Sequence, residues 1–163
     1  MPPANLSDVR VLVVEDNAFQ RRILIRLLEA LRVGEIRQAQ DGAEALAILE
    51  NYTPDVILTN CRMQPVGGLE FARRVRASEQ RAFQTVPIIM LSAEEELIQV
   101  ELARSAGIND FLFKPVPPES LRERILQLIE NPPPFVRSAA YVGPERRTSE
   151  LPFSGPDRRR ADV

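Results

Sequence analysis

Val9-Arg10-Val11-Leu12-Val13-Val14-Glu15-Asp16 decides how the rest of the chain is read. Its β-branched residues favour an extended backbone. The apolar residues run on almost without interruption, where a half-exposed strand would alternate with polar ones. Such a strand is suited to burial on both faces, the condition of a parallel sheet covered by helices. The run stops at two carboxylates, Glu15 and Asp16.

Working outward, a helix is expected through Ile23, Leu24, Leu27, Leu28 and Leu31, stopping near Gly34. A short polar strand over residues 36–39 leads to Asp41-Gly42, read as a turn, and to a helix carrying Ala45, Leu46 and Leu49. A third strand, 55–59, ends at Asn60, and Gly67-Gly68 opens a helix with Leu69, Ala72 and Val75. A fourth strand, 87–91, ends at Ser92 and is followed by a helix from about 95 to 106. Strand 108–113 then runs into Lys114-Pro115, and a last helix places Leu121, Ile125 and Leu128 on one stripe. Five β-then-α units imply a parallel sheet with helices on both faces and right-handed crossovers. Ligand sites of such sheets lie beyond the carboxyl ends of the strands. There the sequence puts Glu15, Asp16, Asn60, Ser92 and Lys114, far apart along the chain and expected to meet in space. Residues 1–130 form this domain and 131–163 a tail.

Composition removes several classes of function. The 21 Lys plus Arg nearly balance 23 Asp plus Glu, for a formal net charge of −2, which argues against a surface given over to nucleic acid. A single cysteine, Cys61, and no histidine exclude an internal disulfide, a Cys-based zinc site and a histidine base. The start of the chain lacks a basic region followed by an apolar run, and no stretch reaches the roughly 18 apolar residues of a membrane helix. A soluble cytoplasmic protein without membrane partners is expected.

Paired acids at a strand end, a further oxygen ligand, a hydroxyl and a lysine form a chemical set. Carboxylates and a backbone carbonyl suit Mg²⁺. A hydroxyl and an ammonium suit phosphoryl oxygens. The motifs around them are Val13-Val14-Glu15-Asp16-Asn17, Pro54-Asp55-Val56-Ile57-Leu58-Thr59-Asn60, Met63-Gln64-Pro65-Val66-Gly67-Gly68-Leu69-Glu70, Ile89-Met90-Leu91-Ser92-Ala93 and Phe111-Leu112-Phe113-Lys114-Pro115. In that order, residues 9–130 resemble the receiver domain of response regulators, the CheY-like fold of two-component signalling. The resemblance implies an α/β fold: a five-stranded parallel sheet, doubly wound as (βα)5 in the flavodoxin/CheY manner, here with an extended C-terminal tail. It implies Glu15, Asp16, the residue-60 side chain and the Arg62 backbone carbonyl as ligands of Mg²⁺. Ser92 matches the hydroxyl that moves toward the phosphoryl group, and Lys114 the lysine that pairs with the acceptor. Phe111 matches the aromatic switch, which in the family packs inward when the serine's counterpart engages. A histidine kinase or phosphotransfer protein and a downstream protein target are the implied partners, and a homodimer stays open.

Asn60 stands where the family carries its phosphoaccepting aspartate. An amide lacks the anionic oxygen that attacks phosphorus, and Asp55 lies at the wrong end of the strand to replace it. The chain is therefore expected not to accept phosphate and not to be an enzyme, its autophosphotransfer and autodephosphorylation chemistry being lost. Mg²⁺ is expected to bind more weakly: a charge pair about 4 Å apart contributes roughly 4 kcal/mol at an effective dielectric near 20. Losing the charge also relieves repulsion with Glu15 and Asp16. Two readings stay open, a pseudo-receiver that works without phosphorylation and a phosphorylatable-type receiver blocked by an Asp-to-Asn change. Gly67, where family members often carry aspartate, suggests a looser 63–68 loop.

Two further surfaces stand out. In the helix after Ser92, Val100, Ala103 and Ala106 form the core stripe, leaving Ile98 and Leu102 as a partner or dimer face. Beyond Pro132-Pro133-Pro134 the tail is expected to be flexible or only locally ordered, and too short for a DNA-binding unit. It repeats itself, as Tyr141-Val142-Gly143-Pro144-Glu145-Arg146-Arg147 and then Phe153-Ser154-Gly155-Pro156-Asp157-Arg158-Arg159-Arg160. Arg146, Arg147, Arg158, Arg159 and Arg160 are candidate anion-binding residues, because paired guanidiniums grip phosphates and a nearby aromatic can stack. A ligand-sensing module for a phosphate-bearing molecule such as a cyclic dinucleotide is a third reading, and a plain solvated charge run is the alternative to it.

Overall fold

A computed structural model describes residues 5–93, 97–138 and 140–145, without the side chains of 97–99. Strands β1 (Arg10–Val14), β2 (Glu35–Ala39), β3 (Val56–Asn60), β4 (Ile88–Ser92) and β5 (Asp110–Phe113) form one sheet in the order β2-β1-β3-β4-β5. Every pairing in it is parallel. Helices α1 (Ala18–Ala30), α2 (Gly42–Leu49), α3 (Gly68–Arg76), the single turn α4 (Arg81–Gln84), α5 (Leu97–Ser105) and α6 (Pro118–Glu130) connect them. The chain leaves β1 for β2 on one side and returns to β3 on the other, so the crevice opens at the ends of β1 and β3.

The uninterrupted apolar strands divide their residues between two cores. Leu12, Val14, Ile57, Met90 and Phe111 pack with Ala45, Leu49, Phe71, Ala72 and Ala103 on one face. Val11, Val13, Leu58, Ile89 and Leu112 pack with Leu28, Leu121 and Ile125 on the other. Each Val, Leu, Ile, Met or Phe among them contributes roughly 1.5–3 kcal/mol when fully buried. At the entry of β3, Asp55 accepts from the Arg10 backbone N at 2.8 Å and pairs with its guanidinium, far from the cleft.

Several local readings change. Ile23 projects outward from α1, 52% exposed, as does Phe19 at 71%, and Leu28 is the fully buried residue of that helix. Asp41-Gly42 starts a helix: Asp41 Oδ1 accepts from the N–H groups of Ala43 and Glu44, and Gly42 is the first residue of α2. Ile108 closes α5 by donating to Ala103 O, so β5 begins only at Asp110. The α4 turn was not foreseen; the Gln84 side chain donating to Arg76 O holds it against the end of α3. The 63–68 loop is anchored and not loosened. Met63 and Val66 are buried, Gly68 N donates to Cys61 O at 2.8 Å, and Gly67 has an ordinary φ of −77°, with a Cβ there coming 3.3 Å from Cys61 O.

After α6 the chain forms an antiparallel hairpin of β6 (Phe135–Arg137) and β7 (Val142–Pro144), where the sequence suggested at most local order. It covers the end of the domain opposite the cleft. The candidates Arg146, Arg147, Arg158, Arg159 and Arg160 lie outside the described residues.

Candidate functional site

Three strand ends deliver the cleft. Glu15 follows β1 and is buried, its backbone N held by Ala39 O. Asn60 ends β3, and Lys114 follows β5 with its backbone N donating to Ser92 O at 2.8 Å. The Lys114 ammonium donates to Glu15 Oε2 at 2.9 Å, Gln20 Oε1 at 2.6 Å and Asn60 Oδ1 at 3.3 Å. Asn60 Nδ2 in turn donates to Glu15 Oε1 at 3.4 Å, Asp16 Oδ1 at 3.3 Å and the Arg62 carbonyl at 3.1 Å. The sense of the amide follows from its partners. Turned over, its N–H groups would face the ammonium and its oxygen the carboxylates.

Four oxygen donors were expected around a cation. Three of them converge, and the fourth position presents nitrogen to the other three. A divalent cation takes oxygen ligands, so this arrangement does not fit Mg²⁺ unless Asn60 is turned over against Lys114. Among the described residues, no group of three or more His, Cys, Asp or Glu is placed to hold a metal.

Ser92 is buried at the end of β4, beside Phe113 in register. Phe111 is fully buried, its ring edge-on to Phe113 at 5.1 Å. Leu102 is exposed on α5 while Ala103 and Ala106 are buried; the Ile98 side chain lies outside the described residues. Gln20 was missed. Asn17 caps α1 by accepting from Gln20 N, and this sets the first turn of the helix over the cleft. The available signal was that α1 starts only two residues beyond the acid pair. Beside Lys114, a cavity of about 360 Å³ is lined by Ile23, Leu24, Leu27, Ala93 and Pro115, among others.

At the other end of the sheet sits a buried cation. Arg76, 2% exposed, donates through Nε to Gly107 O at 2.8 Å, through Nη1 to Gln84 O and Val86 O at 2.7 Å, and through Nη2 to Asn109 Oδ1 at 2.8 Å. The Phe135 ring lies over it at 5.6 Å. Burial brings its pKa down to about 10, with nearby Tyr141 acting the other way.

A doubly wound α/β domain whose acid pair, strand-end side chain and lysine share one cleft defines a receiver-type signalling module. Residues 11–126 match the family model of the response regulator receiver domain, and the chain belongs to that family. It is 33% identical over 118 residues to the chemotaxis protein CheY1 of Helicobacter pylori, covering 72% of this chain and 94% of that protein. CheY of Pseudomonas aeruginosa is 32% identical over 122 residues, covering 75% and 97%. Among solved structures, Vibrio cholerae CheY4 superposes with a TM-score of 0.67 at 30% identity, over 74% of this chain and 98% of that one. The receiver domain of a Pseudomonas aeruginosa sensor histidine kinase, solved with a magnesium ion coordinated in its active-site cleft, gives a TM-score of 0.69 at 30% identity. That match covers 76% of this chain and 98% of that one. Among the described residues no helix is long and apolar enough to cross a membrane.

Proposed function

We propose that this protein is a response regulator whose receiver domain acts by protein–protein contact and keeps its cleft in one state without a phosphoryl group. The observation that carries this is the Asn60 amide: its oxygen is engaged by Lys114 and its nitrogen by Glu15, Asp16 and the Arg62 carbonyl. A neutral amide committed at both ends offers phosphorus no anionic oxygen. In this reading the chain is not an enzyme, needs no Mg²⁺ and binds it more weakly than a carboxylate at residue 60 would. Phe111 is already buried, the position the resemblance associates with an engaged Ser92. The contact surfaces are Leu102 with its α5 neighbours and the exposed Phe19 and Ile23 of α1. They suit a cytoplasmic histidine kinase or phosphotransfer protein, a downstream target, or a second copy.

A second reading, a working switch blocked by an Asp-to-Asn change, is favoured by the survival of Ser92, Lys114 and the acid pair around Asn60. One experiment separates the two. The chain and Asn60→Asp are incubated with Mg²⁺ and a small-molecule phosphodonor, and intact mass and partner affinity are measured. The unmodified chain should gain no phosphoryl mass, and a gain would sink the proposal. Partner binding indifferent to Asn60→Asp supports the phosphate-independent module. Binding that changes only when Asn60→Asp is phosphorylated supports the blocked switch.

A further inference from the structure

The first copy of the tail repeat is seated on the domain, and each residue type in it has a use there. Tyr141 is buried and its hydroxyl donates to Pro144 O at 2.8 Å. A Cβ on Gly143 would run into the Tyr141 ring and come within 3.0 Å of Gly107 Cα. Pro144 is buried opposite Phe135, where the ladder asks it for no N–H, and Glu145 N donates to Pro134 O at 2.6 Å. The seat is complementary. Gly107, at φ +88°, leaves room for Val142 O, and Arg76 and Phe135 form its floor. A cavity of about 320 Å³ lined by Arg73, Ala77 and Ser105 continues it.

Arginine pairs meant only for solvent or for an anion need no aromatic two residues before a Gly-Pro. Yet the second copy, Phe153-Ser154-Gly155-Pro156-Asp157, keeps that spacing and differs at the aromatic by the hydroxyl alone. We propose that the seat formed by Gly107, Arg76 and β6 is a peptide-binding groove for aromatic-x-Gly-Pro-acid segments, and that the second copy is its alternative occupant in the same chain. This is independent of the reading of Asn60. Seating the second copy beside β6 lengthens the connecting loop from residues 138–141 to 138–153, which disfavours it about eightfold by closure entropy. Loss of the hydroxyl's hydrogen bond disfavours it by about a further fivefold. The first copy is therefore the resident, with the second a minor occupant that takes over when the first is removed.

Residue-resolved hydrogen exchange on the full chain tests this. Gly143→Val unseats the first copy. Protection should then leave the amides of residues 143 and 145, appear at those of 155 and 157 and persist at 135–137, reduced there by about fortyfold. Gly155→Val alone should change nothing at 135–144, while the double variant loses protection at 135–137 altogether. Where Gly143→Val fails to fold, Tyr141→Ala serves instead, since it adds no bulk. The proposal is overturned if the first variant loses as much protection at 135–137 as the double variant. It is also overturned if no protection arises at residues 155 and 157, or if that protection grows with protein concentration, which would place the segment on another molecule.

Discussion

The two ends of the sheet each hold a cation, and they hold it in opposite ways. At the carboxyl ends of the strands, Lys114 is partly exposed and meets the carboxylate of Glu15. At the other end Arg76 is buried and meets carbonyls and one amide oxygen, with no carboxylate among its hydrogen-bond partners in the described residues. Lysine is a compact ammonium that can follow a changing partner, whereas the arginine fork needs several fixed acceptors. The first arrangement is suited to a site that changes state, the second to a joint that does not. Asn60 departs from this division, because it gives the changeable end fixed partners as well.

The largest expected effect tests the joint. Arg76→Ala takes the guanidinium from four acceptors, of which Asn109 Oδ1 keeps Ile88 N, and should lower stability by about 3 kcal/mol, read as the urea midpoint. A loss under about 1 kcal/mol would mean that the hairpin, and not the guanidinium, holds this end. Lys114→Met should cost less, about 1–2 kcal/mol, since the lysine retains water contact and the pair is screened. It should also release the Asn60 amide, seen as a shifted side-chain NH₂ resonance; an unmoved resonance would show that Glu15, Asp16 and Arg62 suffice to hold it.

The third test uses pH. Folding lowers the pKa of Arg76 to about 10, so above that pH, up to the ordinary arginine value, the unfolded chain keeps a proton that the folded chain has lost. The stability contributed by this group therefore rises with pH in that window and is flat below it. The difference in urea midpoint between wild type and Arg76→Met should follow this course, and a difference that stays level above about pH 10 contradicts it. The smallest effect is at Leu102→Glu, which should stay within about 0.5 kcal/mol of wild type while weakening self-association or partner binding. Unchanged sedimentation and unchanged partner titration would remove α5 as a contact face.

The legibility of the two ends in the sequence differed for a physical reason. The cleft announced itself because apolar runs stop abruptly at Glu15, Asn60 and Ser92, and parallel winding brings such stops together. The parallel order of the five strands followed from the same pattern. Arg76 gave no such signal. In Arg73-Arg74-Val75-Arg76 it looks like one more exposed cation on the last turn of a helix, and only the tertiary placement of Gln84, Val86, Gly107 and Asn109 makes it a core residue. The hairpin was hidden likewise, because the partner surface that orders it belongs to α3 and to the turn after α5. Gln20 and the sense of the Asn60 amide depend on side-chain geometry that no residue pattern encodes.

One side chain gathers the entrances of β4 and β5. Arg76 ties Gln84 and Val86, just before β4, to Gly107 and Asn109, just before β5. Asn109 Oδ1 closes the loop by accepting from Ile88 N at 2.9 Å. Those strands are only five and four residues long and carry Ser92 and Lys114 at their far ends. At about 3.3 Å per residue the span is roughly 15 Å of backbone. In mechanical terms the fold is a short cantilever clamped at its root, so a small displacement at the root is passed to the tips with little slack to absorb it.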